Sequence, residues 1–97
     1  MSTYIQLISW TEQGLRNLKD GPGRLETAKK ALRDLGGELK SFHLTMGAYD
    51  AVAIFEAPSD EASVRFALQI AQAGNVRTQT LKAFTESEYR ELAGALK

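Results

Sequence analysis

Leu44-Thr45-Met46-Gly47-Ala48-Tyr49-Asp50 decides the architecture, because it reads as the turn of a β-hairpin. Two-residue hairpin loops of type II′ take glycine at the first central position, where φ is positive and the twist of the flanking strands is preserved. The stretch therefore predicts Gly47-Ala48 as the loop, between strands over about residues 38–46 and 49–57. Pairing Met46 with Tyr49 sets the remaining pairs, with Thr45 opposite Asp50 and His43 opposite Val52. Because side chains alternate between faces, Phe42, Leu44, Met46, Tyr49, Ala51, Ala53 and Phe55 are expected in the core. The opposite face is expected to hold Leu39, Ser41, His43, Thr45, Asp50, Val52, Ile54 and Glu56. That face mixes apolar and polar groups, as a sheet does where it meets a partner sheet or a cavity.

Working outward, residues 2–10 read as a strand, and Thr11 is placed to cap a short helix that includes Asn17 and Lys19. Pro22 suits the first turn of a second helix, since its missing N–H would have no partner there. Leu25, Ala28, Leu32 and Leu35 fall on one stripe at helical spacing, and Gly36-Gly37 ends the run. After the hairpin, Ser59 or Asp60 caps a third helix reaching about Ala73, whose apolar arc is wide enough to touch more than one element. A fourth strand follows from Val76 to about Phe84. Thr85-Glu86-Ser87-Glu88 has the spacing of a capping box for a last helix with Tyr89, Leu92, Ala93 and Leu96 on one side. The order βαββαβ plus a C-terminal helix is an α+β, ferredoxin-like sandwich on an antiparallel sheet, one domain over residues 1–97.

The chain has 97 residues, 43% of them hydrophobic, and leaves no room for a second core. A domain of this size buries only about 60–65% of its unfolded surface, so self-association would add needed burial. Twelve basic and twelve acidic residues cancel, with no single-sign run, which argues against nucleic acid or an anionic membrane as partner. No cysteine is present, which removes disulfides, thiolate nucleophiles and sulfur-ligated metals. Met1-Ser2-Thr3-Tyr4 lacks the basic start of a signal peptide, and no run approaches the ~18 apolar residues of a membrane helix, so a cytoplasmic location is expected.

The chain resembles the GYD-domain family, named for the Gly-Tyr-Asp motif that Gly47, Tyr49 and Asp50 match. Further matching stretches are Trp10-Thr11 with Gln13-Gly14, Leu35-Gly36-Gly37, Leu44-Thr45-Met46-Gly47, Glu56-Ala57-Pro58 with Asp60-Glu61-Ala62, Gly74-Asn75-Val76-Arg77-Thr78 and Leu81-Lys82-Ala83-Phe84. The resemblance implies a dimeric α/β barrel, in which two ferredoxin-like subunits bring their sheets face to face with the helices outside. That superfamily includes cofactor-free monooxygenases, small-ring isomerases, haem-degrading enzymes and ligand-sensing domains of regulators, so fold does not choose the activity.

His43 is the only histidine, with the chemistry of a general base near neutral pH or a packed strand residue. Asp50 beyond the turn either accepts backbone N–H groups or exchanges protons with a substrate beside His43. Only Asp50 and Glu56 share the face of His43, so no metal site is expected. Tyr49, Trp10, Thr45 and Arg77 are the candidate ligand contacts, Trp10 as the rim of a pocket and Arg77 as partner of Glu56, Asp50 or an anion. Asn17, Lys19 and Asn75 are weaker candidates with ordinary solvent or capping roles. The leading expectation is a homodimeric small-molecule-binding protein that needs no cofactor. One alternative is a cofactor-independent monooxygenase or isomerase acting on a small aromatic or lactone-like compound through His43 and Asp50. The other is an assembly module whose sheet face is filled by its twin.

Overall fold

In the computed structural model, which describes residues Met1 to Lys97, the strands are β1 (Ser2–Trp10), β2 (Glu38–Leu44), β3 (Ala51–Ala57) and β4 (Val76–Ala83). Helices α1 (Glu12–Arg16), α2 (Gly21–Asp34), α3 (Asp60–Gln72) and α4 (Glu86–Gly94) connect and extend them, with a 3₁₀ turn at Leu18–Asp20. The sheet is antiparallel throughout, in the order β2-β3-β1-β4. That order is the ferredoxin-like one.

Local chemistry sets the boundaries. Thr11 caps α1 by accepting the N–H of Gly14, Ser59 caps α3 by accepting that of Ala62, and Pro22 lies in the first turn of α2. Helix α2 ends as a Schellman motif: Gly37 N donates to Leu32 O and Gly36 N to Arg33 O, with Gly36 at φ +85°. The capping box of α4 is complete, since Thr85 Oγ1 accepts from Glu88 N and Glu88 Oε1 accepts from Thr85 N at 2.9 Å. These donors, the backbone N–H of Thr85 first, hold the Glu88 carboxyl below its ordinary pKa.

Both long helices cover one face. Tyr4, Phe55, Phe66, Leu32, Ala57 and Ala62 form the core. Tyr4 stacks on Phe55 with ring centroids 5.3 Å apart, and Phe66 meets Phe55 edge-on at 5.2 Å. Ala51, Ala53, Phe55 and Ala57 are buried in alternation with half-buried Val52, Ile54 and Glu56, as the hairpin partition requires.

Three details differ from the sequence expectation. The predicted pairing holds from Ser41–Ile54 to Leu44–Ala51, but a register shift between Leu39 and Ser41 puts Leu39 opposite Phe55 and against the core. An extra residue in one strand flips every side chain beyond it to the other face. The turn is also wider than two residues. Strand pairing ends at Leu44 and resumes at Ala51, with Gly47 at φ +126°. Asp50 N donates to Ile8 O, and Thr45 N to Asp50 O, so residues 49–50 are drawn toward β1 and Met46 and Tyr49 do not close a tight turn. Finally, Phe42, Leu44 and Met46 have the parity of core residues but are 38%, 70% and 101% exposed. The helices cover the Tyr4–Phe55 half of the sheet, and nothing in the chain covers this corner.

Helix α4 leaves Tyr89 and Leu92 at 66% and 56% exposure, and it ends at Gly94, so Leu96, expected on its apolar side, lies beyond it at 80% exposure. The accessible surface is 6700 Å² for a 10.7 kDa chain. A compact monomer of that mass exposes about 5,500 Å². The radius of gyration, 14.6 Å, likewise exceeds the roughly 12.5 Å of a compact domain. The single chain carries more surface than it can hide.

Candidate functional site

The face of the sheet away from the helices is open, and strand register sets out its side chains in rows. Ser41, Ile54, Ile5 and Leu81 form one row across β2, β3, β1 and β4, and His43, Val52, Leu7 and Gln79 form the next. Thr3 lies between Glu56 and Ala83 at one end. At the other end Ser9 faces Arg77, and Asp50 follows one step beyond the Ile8–Ala51 pair. The centre is thus apolar, built from Ile5, Leu7, Val52, Ile54 and Leu81, with polar side chains around it.

Four of the expected site residues come together at the turn. Asp50 Oδ2 accepts the backbone N–H of Trp10 at 2.9 Å, and Thr45 Oγ1 donates to Tyr49 O at 2.7 Å. Tyr49 was expected in the core, yet its hydroxyl donates to Gln79 Oε1 at 3.0 Å, reaching past β1 to β4. Leaving the strand before Ala51 frees Tyr49 from strand alternation. Trp10 ends β1 half-buried opposite Val76. His43, exposed opposite Val52, makes no hydrogen bond to Asp50, whose carboxylate is engaged by Trp10. Arg77 is exposed and pairs with neither Glu56 nor Asp50. Glu56 lies instead 3.8 Å from Lys40, and the Asp50 carboxylate accepts from Trp10 N. No group of three or more His, Asp or Glu side chains is arranged to hold a metal ion.

Asp50→Ala would strand the Trp10 amide, and we expect a loss of about 1–3 kcal/mol of stability in urea unfolding. Asp50→Asn retains an acceptor oxygen and should recover most of it.

A second cluster lies beneath α3 and was not anticipated. Tyr4 Oη donates to Asp60 Oδ1 at 2.5 Å, and Lys82 Nζ lies 3.1 Å from the same oxygen. Burial raises the Tyr4 phenol above its ordinary pKa, and the adjoining Asp60 carboxylate adds to the effect. Asp60 is held below its ordinary value, first by the hydrogen bond from Tyr4 and then by that from Lys82. The three line a cavity of about 260 Å³ together with Ser63, Thr80 and an apolar wall from α3. Tyr4 and Lys82 are directly paired across β1 and β4. No tight turn joins those strands, so sequence spacing offered no register by which to bring them together. Asp60 read simply as the start of a helix.

The GYD domain profile matches residues 4–93. A Thermus thermophilus protein named glutamine synthetase and cystathionine beta-lyase binding protein is 33% identical over 84 residues, covering 86% of this chain and 88% of that one. The crystal structure of TTHA0845, also from Thermus thermophilus, superposes with a TM-score of 0.56 at 25% identity, over 88% of this chain and 95% of that chain.

Proposed function

Because the chain belongs to the GYD domain family, we propose that it acts by association: two copies close their open sheet faces on each other, and the dimer binds a partner protein. The observation that carries this is the apolar centre of the open face, Ile5, Leu7, Val52, Ile54 and Leu81, ringed by polar groups. A second copy is the occupant that fits. The surface in excess of a compact monomer, about 1,200 Å², is of the order of the ~800 Å² that each partner gives to a standard interface. Part of that excess belongs to α4, whose Tyr89 and Leu92 are exposed in the single chain. Protein binding is carried over from the name of the Thermus relative. A second reading, small-molecule binding by the same dimer, is favoured by the cavity beneath α3.

Sedimentation equilibrium tests the association. The wild-type chain is expected at twice its 10.7 kDa mass. Ile54→Asp, which puts an unpaired carboxylate at the centre of the contact, should weaken the dimer at least tenfold. A wild-type monomer at ~100 μM, far above the Kd of a standard-sized interface, would remove the proposal.

A further inference from the structure

The cavity beneath α3 combines groups of both charges with an apolar wall. Asp60 and Lys82 face it as a salt bridge 3.1 Å long, with side chains 66% and 48% exposed. Exposed pairs of this kind contribute little to stability, so a ligand that replaces each partner with its own opposite charge has little to displace. Ser63, 3% exposed, lines the cavity from α3. Thr80 lines it from β4. Directly across the β1–β4 ladder from Thr80 is Gln6, 2% exposed, whose Nε2 is the one buried side-chain polar atom without a partner, an independent sign of unmet polar capacity beside the cavity. Buried polar atoms left unbonded are uncommon in folded chains and are costly to maintain. Opposite the polar side, Val64, Ala67 and Leu68 form an apolar wall.

We infer that this cavity binds a free α-amino acid with an apolar side chain. Its carboxylate takes the Lys82 ammonium and the hydroxyls of Ser63 and Thr80, and its ammonium takes the Asp60 carboxylate. The side chain lies along Val64 and Leu68. A simple anion would leave Asp60 repelling it, and a simple cation would leave Lys82 doing so, whereas a zwitterion answers both. The volume of about 260 Å³ falls just below the range of ordinary ligand pockets, which suits a molecule of this size. The inference deepens the small-molecule reading and is independent of self-association, because the cavity lies on the helix side of the sheet.

The test is calorimetric titration of the intact protein with L-leucine, 4-methylpentanoate and 3-methylbutylamine, which keep the same side chain and carry both charges, the negative charge and the positive charge respectively. L-Leucine is expected to bind at least tenfold more tightly than either analogue. Asp60→Asn, which still accepts the Tyr4 hydrogen bond, and Lys82→Met should each weaken leucine at least tenfold, with the sedimentation behaviour unchanged. If 4-methylpentanoate binds as tightly as leucine, the cavity is a small-molecule site and the zwitterion assignment fails. If none of the three binds, both fail. Leucine binding that both variants retain would place it elsewhere and overturn the assignment.

Discussion

Phe55→Ala is expected to cost about 3–5 kcal/mol of unfolding free energy, a large share of what a domain of 97 residues possesses. Phe55 is fully buried on β3, between the stacked ring of Tyr4 and the edge-on ring of Phe66. It therefore joins the sheet to α3, and Leu39 reaches the same cluster from β2 through the register shift. The chain has few other large side chains to spread the loss across, Leu32 and Gln6 being the others that are fully buried. Chemical denaturation should show a lower midpoint. Phe55→Leu, which keeps most of the volume, should recover more than half of the loss.

Gly14→Ala should destabilise by about 3 kcal/mol, at the upper end for overpacking, although alanine favours helices over glycine. A Cβ at position 14 would collide with the backbone carbonyl of Asn75. Backbone on both sides leaves no side chain to swing away. The same junction holds Thr11 N to Asn75 O at 3.1 Å, Thr11 Oγ1 to Gly74 O at 2.6 Å and Gln13 Nε2 to Ala73 O at 3.0 Å. Pushing α1 outward would strain all three and loosen the end of β1 where Asp50 grips Trp10. Thermal unfolding measures the loss, and Gly23→Ala, at a helical position with open space around its Cβ, is the matched control that should not destabilise.

Much of the fold was legible because its punctuation is local. Thr11, Ser59 and Thr85 cap helices by contacts within three residues, and Gly36-Gly37 ends α2 through its own last turn. The hairpin yielded β2–β3 pairing by arithmetic, since a turn ties the two strands to one register. That arithmetic failed beyond Ser41, where the register shift carries no composition signal, and at Met46–Tyr49, where contacts with β1 and β4 compete with the turn. Both are tertiary effects. The Gly-x-Tyr-Asp stretch pointed to a real cluster, with Asp50 on Trp10 N–H and Tyr49 on Gln79. The Tyr4–Asp60–Lys82 cluster was not legible, because its members lie 56 and 22 positions apart and meet only once β1 pairs with β4.

The thinness of the core has a calorimetric consequence. Unfolding usually raises the heat capacity by ~12–15 cal/mol/K per residue, mainly through newly wetted apolar surface. Here only 12 of 97 residues are buried, so much of that surface is wet already, and the single chain should have a small heat-capacity step and a flat stability curve. Each contact that later covers Leu7, Ile54 or the α4 stripe restores part of the missing step. The heat capacity of unfolding thus becomes a gauge of how much of the molecule's core is supplied by its neighbours.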